Sequence, residues 1–216
     1  MNSNKFNTSE KSIAQHVKAD LIDFLLSSDS YDLLASEVPF MYGNRWADLI
    51  AIQDEFLIGF EIKSKADSLK TLKDQLNDYY KVFNKVYIVV AEKFRIREEL
   101  KTISKNIGII IVKQDNTFLL KRKALTKASL DKSALLSLLW RKDLERITSD
   151  KKDKDIEALK KNILRRYSVK AIQQEVIKSL KSRYGNSYQL FLRDRGNYTT
   201  VEDIRTITKL KKISVF

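Results

Sequence analysis

No cysteine occurs among the 216 residues, and there are only one histidine and five glycines. The first absence excludes disulfides and thiolate metal sites; it fits a reducing compartment, so the expected location is the cytoplasm. A lone histidine, His16, argues against zinc hydrolases and most histidine-based nucleases. With so few glycines, no phosphate-binding loop and no dinucleotide fingerprint can be found. Long apolar runs are lacking too, and none approaches the length needed to cross a bilayer. The stretch Met1–Asn7 is polar and has no signal-peptide core, so no membrane partner is expected. By elimination the chemistry falls to carboxylates, which suit hard cations such as Mg2+ or Mn2+.

What the chain has in excess is positive charge, in one half only. Residues 1–123 hold 19 Lys+Arg against 17 Asp+Glu, and residues 124–216 hold 22 against 11, out of a total net charge of +13. A lysine-rich composition would raise charge everywhere; a localised excess points to a polyanionic partner, nucleic acid first. Hydrophobic content of 43% and charged content of 32% fit a globular protein able to bury one good core and a smaller second unit.

The most informative stretch is 45–63, which reads as two apolar strands joined at Asp54-Glu55. Side chains alternate along a strand, so Leu57, Gly59, Glu61 and Lys63 share one face. A two-residue turn would pair Gln53 with Phe56 and set Asp48 opposite Glu61. Two facing carboxylates repel unless neutralised, and a divalent cation would do that. A bulge would separate the pair, and Glu-x-Lys alone is a common tripeptide that reads as a strand end reaching solvent.

Around this hairpin the periodicity predicts a helix over 9–27 with Ser9 as N-cap, a strand over 31–40, and a helix over 67–83 capped near Asp67 or Ser68. The stripe Leu69, Leu72, Leu76, Tyr80 and Phe83 faces the sheet; Gln75 and Tyr79 lie four apart on one flank. Buried strands follow at 85–91 and 108–112, with a helix expected over 92–105 and an edge strand over 117–121. The order implies an α/β layered core with a mixed sheet flanked by helices, spanning 1–125. Residues 126–216 read as a basic, mainly helical second region. It comprises a helix over 133–147, a charged break over 149–155, helical spacing up to a stop at Gly185, and short strands at 188–193 and 212–216. In it Lys160, Lys161, Arg165, Arg166, Lys170, Lys178, Lys181 and Arg183 interleave with Tyr167 and Tyr184, a pattern suited to phosphate contacts and also to plain solvated helix faces.

Asp48, then Glu61-Ile62-Lys63 on the next strand, then Gln75-Leu-Asn-Asp-Tyr79 on the next helix, together resemble the PD-(D/E)XK nuclease superfamily and its RecB-like Gln-x-x-x-Tyr branch. The wider string from Phe60 to Leu69, with Leu72 and Tyr87-Ile-Val-Val90, resembles a small bacterial family within it. Ala47 and Trp46 depart from the residues common before the Asp, although Arg45 is adjacent.

The resemblance implies a restriction-endonuclease-like core and a Mg2+-dependent (or Mn2+-dependent) nuclease acting on DNA, with RNA left open. It implies that Asp48, Glu61 and the Ile62 carbonyl hold metal. The upstream acid is Glu37 or Glu10, with Glu37 preferred; His16 is either a further ligand or structural. Lys63 would orient the attacking water and neutralise charge on the phosphorane. Gln75 and Tyr79 would position substrate, unless Tyr79 merely packs on the sheet. Arg45, Lys65, Lys161, Arg165, Arg166, Lys170, Lys181 and Arg183 are the expected nucleic-acid contacts. The alternative is an inactive nucleic-acid-binding or scaffold protein that keeps the fold.

Overall fold

A computed structural model describes residues 3–148 and 155–208, with side chains from Ile13 onward in the first helix. The hairpin forms where the pattern puts it: β2 (Arg45–Gln53) and β3 (Phe56–Lys63) pair antiparallel, with Gln53 opposite Phe56 and Leu49 opposite Phe60. The two-residue turn is made at Asp54, whose φ of 55° lies in the left-handed region that Asp tolerates better than most residues. β1 (Leu33–Phe40) pairs antiparallel with β2 on the outer side. β4 (Lys85–Ala91) and β5 (Gly108–Val112) continue parallel to β3, and β6 (Phe118–Arg122) closes the sheet antiparallel. The result is a six-stranded mixed sheet in sequential order, flanked by helices. β5 is buried throughout and β3 from its second residue, so both faces of the sheet centre are covered, as the unbroken apolar runs require.

Helix α1 (Ser3–Ser28) has no glycine or proline and starts well before Ser9, which therefore lies inside it. Its buried side carries Lys18, Leu21, Ile22 and Leu25. α2 (Leu72–Val82) is shorter than the 67–83 expected, with Thr71 at its N-cap. Asp67 does not cap it. Its carboxylate accepts from the Ser64 backbone N–H (2.8 Å) and hydroxyl (2.6 Å), a local bond that competes with helix formation. α2 lies against β3 where Gly59 removes the obstacle: a Cβ there would come within 2.7 Å of Phe83 and 2.8 Å of Tyr79. The expected helix over 92–105 is mostly absent. Only a 3-10 turn (Glu92–Phe94) and the single turn α3 (Glu98–Lys101) form: Ile96, Leu100 and Ile103 stand at helical spacing, but Phe94 is buried in place of Ile96, which is 79% exposed, so burial does not follow that stripe.

The second region is helical, but divided differently from expectation. Residues 133–147 make two helices, α4 (Lys132–Leu136) and α5 (Arg141–Thr148), broken where the Asp143 carboxylate accepts from the Trp140 N–H and the Ser179 hydroxyl. Asp155 caps α6 (Ile156–Arg166), while the rest of the charge run falls outside the described residues. α7 (Val169–Asp194) runs straight through Gly185 and over the expected strand 188–193. Tyr184, Tyr188 and Phe191 at helical spacing are all buried. Two such aromatics beyond the glycine contribute roughly 2 kcal/mol each, against about 1 kcal/mol for a glycine in a helix, so the helix continues. α8 (Val201–Ile207) starts from a capping box between Thr200 and Asp203. The expected strand 212–216 lies outside the described residues.

The helical region is joined to the sheet just after β1, where the Met41 N–H donates to the Ser137 hydroxyl (2.9 Å), and again at the end remote from Lys63. Gln173 of α7 donates to the Glu55 carbonyl (2.6 Å) and Lys181 pairs with Asp32 (3.1 Å). Before α4, the Lys127 N–H donates to the Asn84 carbonyl (2.8 Å). Among the described residues no helix is long and apolar enough to cross a membrane.

Candidate functional site

Asp48 is the residue of β2 that pairs with neither neighbouring strand. The β2–β3 ladder ends at Leu49–Phe60, and the β1–β2 ladder passes from Ser36–Leu49 to Val38–Ala47, omitting Glu37–Asp48. The cause on one side is Glu37, held at φ 51° in the middle of β1, where few side chains other than Asn and Asp are comfortable. Side chains satisfy the backbone that the ladders release. The Asp48 N–H donates to the Tyr79 hydroxyl (3.2 Å), and its carbonyl accepts from the Ser36 hydroxyl (3.1 Å). The Asp48 carboxylate in turn accepts from the Ile62 N–H at 2.7 Å.

This splayed end of the hairpin opens into a cavity of about 450 Å³. Among its lining residues are Glu37, Asp48, Glu61, Ile62 and Lys63 from the strands, Lys18 from α1, Asp67 from the segment after β3, and Gln75 from α2. Four acids and two lysines therefore meet at one place. Lys63 closes on Glu61 at 2.8 Å, both side chains being at least nine-tenths buried. Lys18 bonds the Ser36 hydroxyl (3.1 Å) and pairs with Glu37. Among the described residues Asp48 is left without an ammonium of its own. Burial first and Glu61 second push its carboxyl up to about 7, with Lys18 and the Ile62 N–H acting against them. Among the described residues no three His, Asp or Glu side chains converge closely enough to form a metal cage by themselves.

The expected residues separate into those brought together and those not. Asp48, Glu61, Lys63, Ile62, Glu37 and Gln75 share the cavity; the Gln75 amide oxygen also accepts from Thr71 (3.2 Å). Tyr79 does not line it. Fully buried, it braces the hairpin through Asp48 N–H and a long contact to the Phe60 carbonyl (3.4 Å). Burial, then Glu61 and Asp48, hold its phenol well above the usual range, so it stays a neutral strut. The side chain of Glu10 lies outside the described residues. His16 is exposed and lines a different cavity.

Among the expected nucleic-acid contacts, Lys161, Arg165 and Arg166 are exposed on α6, whereas Lys170 pairs with Glu55 at 3.7 Å and Lys181 with Asp32. Arg45 donates to Asp78 at 2.8 Å. Arg183 turns inward, donating to the Leu138 carbonyl at 2.6 Å beside the Trp140 and Tyr184 rings, and burial lowers its pKa. An inward arginine bonded to backbone is a packing residue, not a phosphate contact.

Lys18 is the site residue that sequence reasoning did not identify. Its signal was present: it stands four before Ile22 and seven before Leu25 on the face that α1 buries, where an ammonium needs an acid partner.

The family model described as bacteriophage P4 protein cII matches residues 7–208. The chain belongs to the bacteriophage P4 protein cII family. Protein cII of Enterobacteria phage P4 is 31% identical over 209 residues, covering 92% of this chain and 78% of that protein. The match to the family therefore takes in the hairpin, the cavity and the helices through α8. Among solved structures, a protein of unknown function from Silicibacter pomeroyi is similar at a TM-score of 0.39 and 13% identity, over 82% of this chain and 88% of that one. Neither relative's description states an activity.

Proposed function

We propose that this protein is a metal-dependent nuclease with a restriction-endonuclease-like core, hydrolysing phosphodiester bonds of DNA in the cytoplasm. The observation that carries the reading is the meeting of Asp48, Glu61 and Lys63 on one cavity, by strand register and not by sequence adjacency. The donor set fits Mg2+, which takes one or two carboxylates and keeps several waters, so a closed protein cage is not needed. Asp48 and Glu61, with the Ile62 carbonyl, would hold it, and Glu37 stands close enough to Asp48 to raise its carboxyl. A cation bound there would polarise the phosphodiester and acidify its water.

The protein's own groups do the rest. Lys63 supplies positive charge where charge builds on the phosphoryl oxygens, and it orients the nucleophilic water. Gln75 fixes the substrate backbone from the α2 side. Lys18 balances Glu37 and Lys63 balances Glu61, so that the net charge left for a cation sits on Asp48. Asp48 must release its proton before it can act as a ligand, so ligation strengthens with pH up to about 7.

A second reading has an observation in its favour: with Lys63 on Glu61 and Lys18 on Glu37 the cluster is largely self-neutralised, as in a nucleic-acid-binding protein that keeps the fold without cleaving. A plasmid-nicking assay with Mg2+ separates the two. The nuclease reading expects cleavage that Lys63→Ala reduces about a hundredfold or more, in line with the loss of one electrostatic stabiliser. Cleavage indifferent to that substitution would sink the mechanism.

A further inference from the structure

Beside the acid cavity, sharing α1 and the segment that follows β3 with it, lies a larger one of about 840 Å³. It opens where β4 ends at Ala91 and β5 at Val112, the carboxyl ends of the parallel strands, where open α/β sheets place their ligands. Lys65, Lys93, Arg95 and Lys113 stand around it, all exposed, against two acids, Asp20 and Glu92. Among the described residues none of these four cations is in an ion pair; the Lys93 ammonium lies 4.6 Å from the Phe94 ring. Most basic side chains of α7 contrast with them: Lys170, Lys181 and Arg193 are paired with acids and Arg183 is turned inward, which leaves Lys178 exposed and outside any ion pair among the described residues. Among the described residues, four uncompensated cations therefore gather beside this cavity of the core, against one along α7.

Between the cations the walls are aliphatic: Ile13 and Val17 of α1, and Ile96, whose side chain stands out into solvent. A duplex shows phosphates but keeps its bases stacked inside, so it has nothing to lay against such walls. An unpaired strand offers both. The volume is that of a site for a compact organic molecule (about 300–1,000 Å³), which takes a few unstacked nucleotides and not a double helix.

We infer that this cavity binds an unpaired nucleic-acid strand, phosphates on Lys65, Lys93, Arg95 and Lys113 and bases against Ile13, Val17 and Ile96, and leads it toward Asp48, Glu61 and Lys63. The strand's destination rests on the nuclease reading; its binding does not.

The test is fluorescence anisotropy of a labelled oligothymidylate with the full chain, in EDTA so that no cleavage occurs, at two salt concentrations. The double variant Lys93→Glu/Lys113→Glu should weaken binding about tenfold or more. It should also flatten the dependence of log affinity on log salt by roughly 1.4, the value for two lost contacts to a single strand. The double variant Lys121→Glu/Lys123→Glu, at and just beyond the end of β6, should change affinity less than about threefold. All four positions are exposed, and thermal melting checks that both variants fold. Binding unaffected in the first variant, or an unlabelled duplex that competes as well as the single strand, overturns the proposal. Groove-dependent binding without Lys63-dependent nicking leaves the groove standing and removes the nuclease; Lys63-dependent nicking with groove-independent binding does the reverse.

Discussion

Replacing Asp48 by Asn should make the protein more stable at neutral pH, even though it removes a residue at the centre of the site. Asp48 lies deep beside Glu61 with no ammonium partner of its own among the described residues, and its carboxyl is raised from 3.8 to about 7. An acid raised in the folded state holds its proton there while the unfolded chain has already released it. Between roughly pH 4 and 7 the folded form thus binds one proton more, so stability falls as pH rises through that window and levels off above it. About three units at ~1.4 kcal/mol each set a ceiling on the order of 4 kcal/mol for the cost of ionising Asp48 in the folded protein. Asparagine keeps an oxygen to accept from the Ile62 N–H, whose bond is 2.7 Å, and it has no charge to bury. In urea denaturation with EDTA present, Asp48→Asn should exceed wild type by about 2–4 kcal/mol at pH 8, with the difference shrinking toward zero near pH 4. Taking the difference between the two proteins cancels the slopes due to other carboxylates. An Asn variant no more stable than wild type at pH 8, or a difference independent of pH, would refute the argument that Asp48 is an uncompensated buried acid.

Two further substitutions test how the hairpin is held open. Tyr79→Phe removes the acceptor of the Asp48 N–H at a buried position, and should cost about 1–3 kcal/mol in chemical denaturation; a cost near zero would mean that Tyr79 is no brace. Gly59→Ala drives a methyl into the Tyr79 and Phe83 rings, so the helix must shift off the strand. The expected loss is about 1–3 kcal/mol, with a lower melting temperature as the readout and an unchanged one as the contrary result.

Much of the architecture could be read from local pattern alone. The alternation and two-residue turn of 45–63 predict the observed register, because a slip of one residue would send every apolar side chain of the strand to the other face. The continuous apolar runs 85–91 and 108–112 predict central strands for the same reason: both faces must be covered. Where local signals were weak or in competition, tertiary contacts decided. Gly185 is a fair helix stop in isolation, yet α7 passes through it because Tyr188 and Phe191 beyond it are buried against the core. Residues 92–105 offer a helical stripe in Ile96, Leu100 and Ile103, but the core takes Phe94 and leaves Ile96 in solvent, and only short turns form.

The candidate site divides in the same way. Spacing along the chain was enough to bring Asp48, Glu61, Lys63 and Gln75 together, since strand register and one helix approach follow from periodicity. It could not assign Lys18, which arrives from a helix thirty residues before Asp48 and joins the cluster only because α1 packs that face inward. Nor could it separate a basic residue facing solvent from Arg183, whose guanidinium turns in to a backbone carbonyl. Periodicity in the chain determines which face a side chain occupies; what opposes that face, and so which charges are paired and which are left for a ligand, is decided only when distant segments pack together.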